Sequence, residues 1–236
     1  KSIANLKLTS DKDETGFFGL LTNGGKVKSL SVSGSVIATG DVSQTGGIAG
    51  AMGEVGSKSS ITDCTFSGTV KGNIQVGGII GCVGQHNQVE RCANRAAVSG
   101  KEDVGGVAGA NSYGVMRYCY NTGAVGSDVA KQVGGIVGTQ QNYAEMVACY
   151  NTGAVTGTGY VGGVAGNVYV AAMPSGCYNV GEVSAAPHCG GAVGSFGGDD
   201  YIMVKNGSFF KEINNPAFKA NGAASRTEAQ MKASSF

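Results

Sequence analysis

Two histidines, a few clustered acids and seven cysteines are the side chains whose chemistry goes beyond packing. Zinc hydrolysis needs paired histidines on one helical turn with a glutamate between them, so that the metal sits on one face and the carboxylate activates its water. His86 and His188 lie far apart in the chain and have no such neighbours, so no metal set is expected. The run Gly197-Gly198-Asp199-Asp200 has the composition of a calcium turn. Calcium-binding β-helices repeat that turn throughout, and a single copy reads as a solvated loop. No Ser-His-Asp or Cys-His set can be assembled, and no cofactor is expected.

Cleavage of a polysaccharide needs two carboxylates on one outer face. The candidates are Asp63 and Glu90, near Arg91 and Arg117 just before the cysteines of successive repeats. Opposite charges on neighbouring strands usually stabilise pairing by about 0.2–1 kcal/mol, and these four side chains read as cross-strand ion pairs. Of the cysteines, Cys64, Cys92, Cys119, Cys149 and Cys177 recur at one place in a repeating phrase. If those places stack, in-register side chains about 4.8 Å apart are too distant for a disulfide, whose β-carbons sit about 3.8 Å apart. Buried free thiols packing as small hydrophobes are the expectation.

Two phrases set the period. Gly-Gly-apolar-apolar-Gly occurs at 46–50, 77–81, 105–109, 134–138, 162–166 and 190–194, with a degenerate copy at 16–19. Steps of 28 to 31 residues mean stacked repeats. Cys119-Tyr-Asn-Thr-Gly-Ala-Val125 alternates with it, returns at Cys149–Val155 and Cys177–Val183, and returns more weakly at Cys64–Val70 and Cys92–Val98. Leu30–Val36 fits the same frame with Leu30 at the cysteine position, and Leu6 begins a truncated copy, which makes about seven coils.

Val, Ile, Thr, Tyr and Phe dominate both phrases, and no 3.6-residue apolar period is sustained, so strands rather than helices repeat. A coil of this length accommodates about three strands and three bends, and coils rising by about 4.8 Å build a body about 30 Å long. The fold expected is all-β: a parallel β-solenoid, right-handed because crossovers within one sheet almost always are. Alternation turns Cys119, Asn121 and Val125 inward and Tyr120 outward.

Two residues after the cysteine position stand Val32 and Phe66, then Asn94, Asn121, Asn151 and Asn179, an amide ladder at an inner corner. Tyr120, Tyr150 and Tyr178 form an outward row of rings, continued by Phe210. Such a row either offers a sugar a face or serves only to stack neighbouring strands. In the Gly-Gly phrase both faces are small or apolar. Its strands are either covered on both sides or wound so tightly that sheets approach over glycine, and alternation does not decide between these.

Composition agrees with one solenoid domain. Glycine supplies 42 of 236 residues, and 42% of the chain is hydrophobic against 14% charged, so the glycine excess belongs to turns and close packing, not to a linker. A net charge of +1 argues against nucleic acid, and no run reaches the roughly 18 apolar residues that span a bilayer, so this stretch is not expected to insert in a membrane. Repeats are expected over 1–204. Residues 205–236 are more polar, carry Pro216, and hold two capping boxes, Ser225-x-x-Glu228 and Thr227-x-x-Gln230, that predict a short helix. This tail is the expected cap over the last open strand edge. The start at Lys1 without Met reads as a fragment or processed form with sequence upstream.

The alternation of Gly-Gly-apolar-apolar-Gly with Cys-Tyr-Asn-x-Gly-x-Val resembles the GLUG repeat of bacterial cell-surface proteins, over roughly residues 1 to 205. The same repeat also stands beside the catalytic part of IgA-specific metallopeptidases. Thr227-Glu-Ala-Gln-Met-Lys232 resembles the segment that closes such arrays. The resemblance implies an extracellular, adhesin-like or spacer module, with a host or cell-surface glycan or protein as partner. Leucine-rich repeats share the cadence Ile61-x-x-Cys64-x-Phe66, but the missing helices and invading glycines count against them. The alternative function is a carbohydrate-active enzyme, a polysaccharide lyase or glycoside hydrolase, on the same scaffold.

Overall fold

The structure, a computed structural model, describes residues 1–53, 58–169, 172, 174–185, 188–197, 209–211 and 224–226. The described secondary structure is all β, in four stacked parallel sheets. One coil shows the path: Glu102–Gly105 in the first sheet, Ala108–Ser112 in the second, Val115–Arg117 in the third, then Tyr120–Asn121 and Val125–Gly126 in the fourth. Seven strands stack in the second sheet, one per turn of the solenoid.

Each turn thus visits four sheets where strand length alone predicts three. The extra corner sits immediately before the cysteine position, where Ser29, Asp63, Arg91, Tyr118 and Ala148 all have φ between 49° and 54°, and Gly176 has φ 61°. A left-handed residue at that point ends the third-sheet strand and redirects the chain into the fourth.

The interior is a set of columns. Ile48, Ile79, Val107, Ile136, Val164 and Ala192, the first apolar residues of successive Gly-Gly phrases, are all buried in one core with the five phrase cysteines. Glycine permits the tight winding around them. A Cβ on Gly106 would fall on the Asn121 side chain, and one on Gly138 would meet the Asp103 backbone. Of the two arrangements left open by alternation, close approach over glycine therefore applies. The second-sheet strands are also covered on both faces, as the unbroken burial of Ala49–Met52 shows.

The fourth sheet changes character along the solenoid. Ser31–Ala38 and Thr65–Lys71 run unbroken where the column holds Val32 and Phe66. From Asn94 onward each strand splits in two. The cause is local: Asn94 Oδ1 accepts the Ala96 N–H at 3.0 Å, and its Nδ2 donates to the Ala96 carbonyl at 3.0 Å. The side chain thereby takes the backbone bonds that would have continued the ladder.

At the C-terminal end, Phe209–Lys211 pairs with Tyr178–Asn179, and Ala224–Arg226 pairs with Phe209–Lys211. Ser225, expected to open a helix, lies in this added strand, because a waiting strand edge outcompetes a local cap signal. Glu228, Thr227, Gln230 and Pro216 lie outside the described residues.

Candidate functional site

The amide ladder forms as its spacing requires. Asn94 Nδ2 donates to Asn121 Oδ1 at 2.7 Å, Asn121 to Asn151 at 2.7 Å and Asn151 to Asn179 at 2.8 Å, and all four side chains are buried. Cys64, Cys92, Cys119, Cys149 and Cys177 are buried beside it, and all seven cysteines of the chain are free thiols. Each column thiol points at the carbonyl two residues back, as Cys64 Sγ does toward Thr62 O at 3.2 Å and Cys92 Sγ toward Glu90 O at 3.3 Å. The hydrogen bond with Cys92, then burial, push the Cys64 thiol well above its ordinary range. Neither column is available for chemistry at the surface.

Tyr120, Tyr150 and Tyr178 are in register on the outer side of the fourth sheet and half-buried. Their rings stack at 5.1 Å with interplanar angles of 3° and 5°. This geometry turns ring faces toward each other along the solenoid axis, so both faces of Tyr150 are occupied by neighbours. The outer face of Tyr120 looks toward Ala93, the residue in its register on the preceding turn, and Arg95 Nη2 lies 3.4 Å from its hydroxyl. Phe210, expected to extend the row, falls in register with Asn179; Phe209 is the partner of Tyr178.

The acidic candidates are held by arginine. Asp63 and Arg91 share the left-handed corner column, and Arg91 Nε contacts Asp63 Oδ1 at 2.7 Å. That hydrogen bond holds the Asp63 carboxyl below its usual range. Glu90 and Arg117 are register partners, but Glu90 pairs with Arg91 of its own coil and accepts from Gln88 Nε2 at 2.6 Å. Arg117 bonds Glu145 instead, at 2.6 Å. Both acids are thus engaged by Arg91, and the lowered Asp63 carboxyl stays charged. His86 is exposed, and the His188 side chain, Asp199 and Asp200 lie outside the described residues. Among the described residues no group of three or more His, Cys, Asp or Glu side chains is placed to hold a metal ion.

Sequence reasoning missed a different feature, the turns that lead out of the second sheet. Tyr113 and Tyr143 are 46% and 68% exposed, and their rings stack at 6.4 Å. Tyr118, at the cysteine corner, is 54% exposed. All three of these exposed tyrosines have positive φ, 54° to 57°. Tyr113 also lines a groove of about 470 Å³ over the outer side of the second sheet, together with Glu14, Leu20, Gln44, Gln85 and Ser112. The signal for these tyrosines was weak because they stand in turns, outside both repeating phrases.

With this geometry in view, residues 41–71 match the GLUG motif. Of solved structures, the chain is similar to the crystal structure of a protein provisionally described as an immunoglobulin A1 protease from Bacteroides ovatus. That likeness has a TM-score of 0.62 at 20% identity and covers 98% of this chain and 68% of the other. No curated protein matches.

Proposed function

We propose, with a parallel solenoid bearing the GLUG motif as the premise, that the chain is a non-catalytic extracellular module of a bacterial surface protein. It binds an extended glycan along the groove over the second sheet. The observation that carries this reading is the exposed Tyr113–Tyr143 pair at positive φ. A non-glycine residue in the left-handed region costs about 1–2 kcal/mol, and a ring left in water returns little of that through burial. Glycine or asparagine would serve these turns better, so the rings are explained by what they touch from outside. The exposed Tyr113 ring beside Glu14, Gln44 and Gln85 combines an apolar surface with acceptors and donors for hydroxyl groups, which is what a sugar requires.

The extracellular, cell-surface setting rests on the GLUG resemblance. The protease description of the structural neighbour is not carried over, since a likeness at 20% identity conveys the fold alone. Against the carbohydrate-active alternative stand the engaged states of Asp63 and Glu90.

The test is a glycan-array screen of wild type, Tyr113→Ser, Tyr143→Ser and Tyr150→Ala. Binding is expected to fall in the two turn variants and to persist in Tyr150→Ala, whose ring faces are covered by its neighbours. A wild type that retains nothing on the array would leave a spacer role in place of this reading. Glycan cleavage that vanishes on Asp63→Asn or Glu90→Gln would overturn the non-catalytic assignment.

A further inference from the structure

On the groove side of the second sheet, Thr139 and Asn167 are register partners on adjacent turns. Gly138, just before Thr139, packs on the backbone of Asp103 and Val104; Gly166, just before Asn167, packs on Val133 and Gln132. The winding therefore repeats one arrangement, placing Thr139 beside Asp103 and Asn167 beside Gln132. The Thr139 hydroxyl donates to Asp103 Oδ1. That bond uses its proton and leaves oxygen lone pairs free.

Two oxygens of this cluster lack a hydrogen-bond partner, and its one carboxylate lacks a counter-charge. Asn167 is 1% exposed, yet its Oδ1 is a buried atom with no hydrogen-bond partner. Gln132 Oε1 is in the same state. Asp103 forms no ion pair among the described residues. Burial pushes its carboxyl up, Thr139 opposes that, and the charge of Glu102 adds to it. Orphaned buried oxygens are costly, and a half-buried carboxylate without a counter-charge beside them adds to that cost. A cation would answer all three at once.

The spacing suits a particular class of ion. Adjacent turns of a parallel sheet are about 4.8 Å apart, so an ion midway between them lies about 2.4 Å from oxygens on either side, inside the roughly 2.3–2.6 Å range of calcium–oxygen bonds. All four donors are hard oxygens: a carboxylate, a hydroxyl and two amide carbonyls. We propose that Asp103, Thr139, Gln132 and Asn167 form a site for a hard cation of the calcium class, clamped between two turns of the solenoid. A single carboxylate makes the site weak, with an affinity of about 10⁻⁴–10⁻³ M, the range of extracellular modules. The inference rests on geometry separate from the tyrosine pair and does not depend on glycan binding.

The full chain, stripped with chelator and dialysed, is titrated with calcium chloride from about 0.1 to 10 mM, spanning that affinity range, and its thermal midpoint is followed. Wild type is expected to gain stability progressively, since a ligand bound only to the native state stabilises by mass action. Asp103→Asn should show no gain, and sodium chloride at matched ionic strength should not reproduce it. Asn167→Asp adds a second carboxylate and should shift the calcium response to about tenfold lower concentration, because affinity follows the charge count of the ligands. That gain cannot come from a failure to fold. No calcium response in wild type, an equal response in Asp103→Asn, an equal response to sodium, or an unchanged response in Asn167→Asp would each overturn the site.

Discussion

Replacing Asn121 by Ala tests the ladder where it is most fully bonded. The side chain makes four hydrogen bonds: it accepts from Asn94 Nδ2 at 2.7 Å and from the Gly123 N–H at 3.2 Å, and donates to Asn151 Oδ1 at 2.7 Å and to the Gly123 carbonyl at 2.8 Å. Asn94 and Asn151 keep bonds to their own backbones in the variant. The buried N–H and C=O of Gly123 lose these partners, at about 1–3 kcal/mol each, and the shortened side chain leaves space opposite Gly106. The expected loss is about 3–5 kcal/mol, a large share of the 5–15 kcal/mol stability of an ordinary domain. Urea unfolding followed by far-ultraviolet circular dichroism measures it. Asn121→Asp should cost still more, because a near-isosteric carboxylate loses the donor and sets its charge against Asn151 Oδ1 and the Gly123 carbonyl. A loss below about 1 kcal/mol for the alanine variant, or an aspartate tolerated better than alanine, would refute the ladder as the element that turns this corner.

Counting thiols in denaturant without reductant should find all seven, and in the native state only Cys82 and Cys189, the two half-buried ones, should react, slowly. Burial and then the charge of Asp103 push Cys82 up to about 11, so its rate should climb with alkaline pH. Ala148→Gly relieves a φ of 51° at a corner where the next turn already uses Gly176. Relief of about 1–2 kcal/mol less about 0.5–1 kcal/mol of glycine entropy predicts a net gain of about 0.5–1 kcal/mol, or a melting point about 1–4 °C higher. In chelator, Asp103→Asn should become more stable relative to wild type as pH rises. A carboxyl with a raised folded-state pKa contributes stability below its unfolded value of about 3.9 and loses it as pH climbs through the folded value. Thermal midpoints of the two proteins across that range check it, and a pH-independent difference would contradict the burial of the charge.

The columns were legible because two periodicities multiply. A repeat near 28 residues stacks equivalent positions, and strand alternation assigns them a side, which located the buried cysteines and asparagines at Cys119 and Asn121 and the outward ring at Tyr120. The fourth sheet position was hidden because its corner is set by backbone conformation in residues as different as Asp63, Arg91, Tyr118 and Ala148, of which only the aspartate is a type that favours a left-handed turn. The ring row was legible as a row, and the interplanar angles add that its rings stack face to face, so that both faces of Tyr150 are covered. Tyr113 and Tyr143 escaped notice because they lie in turns outside the phrases, and the Ser-Tyr-Gly of 112–114 is unremarkable until its exposure is known. The partnering of Asp103 with Thr139 joins residues 36 apart through a contact between sheets, which no single-strand pattern records.

Hydrogen–deuterium exchange of the chain with and without an oligosaccharide retained on the array bears most directly on the central claim that the second-sheet groove is the binding surface. Protection is expected in peptides spanning 49–53, 82–85 and 112–114, which line the groove and include Tyr113, and at the Tyr143 turn whose ring stacks on Tyr113. Protection confined to 118–124, 148–154 and 176–182, the strands that carry Tyr120, Tyr150 and Tyr178, would place the ligand on the fourth sheet and contradict the account.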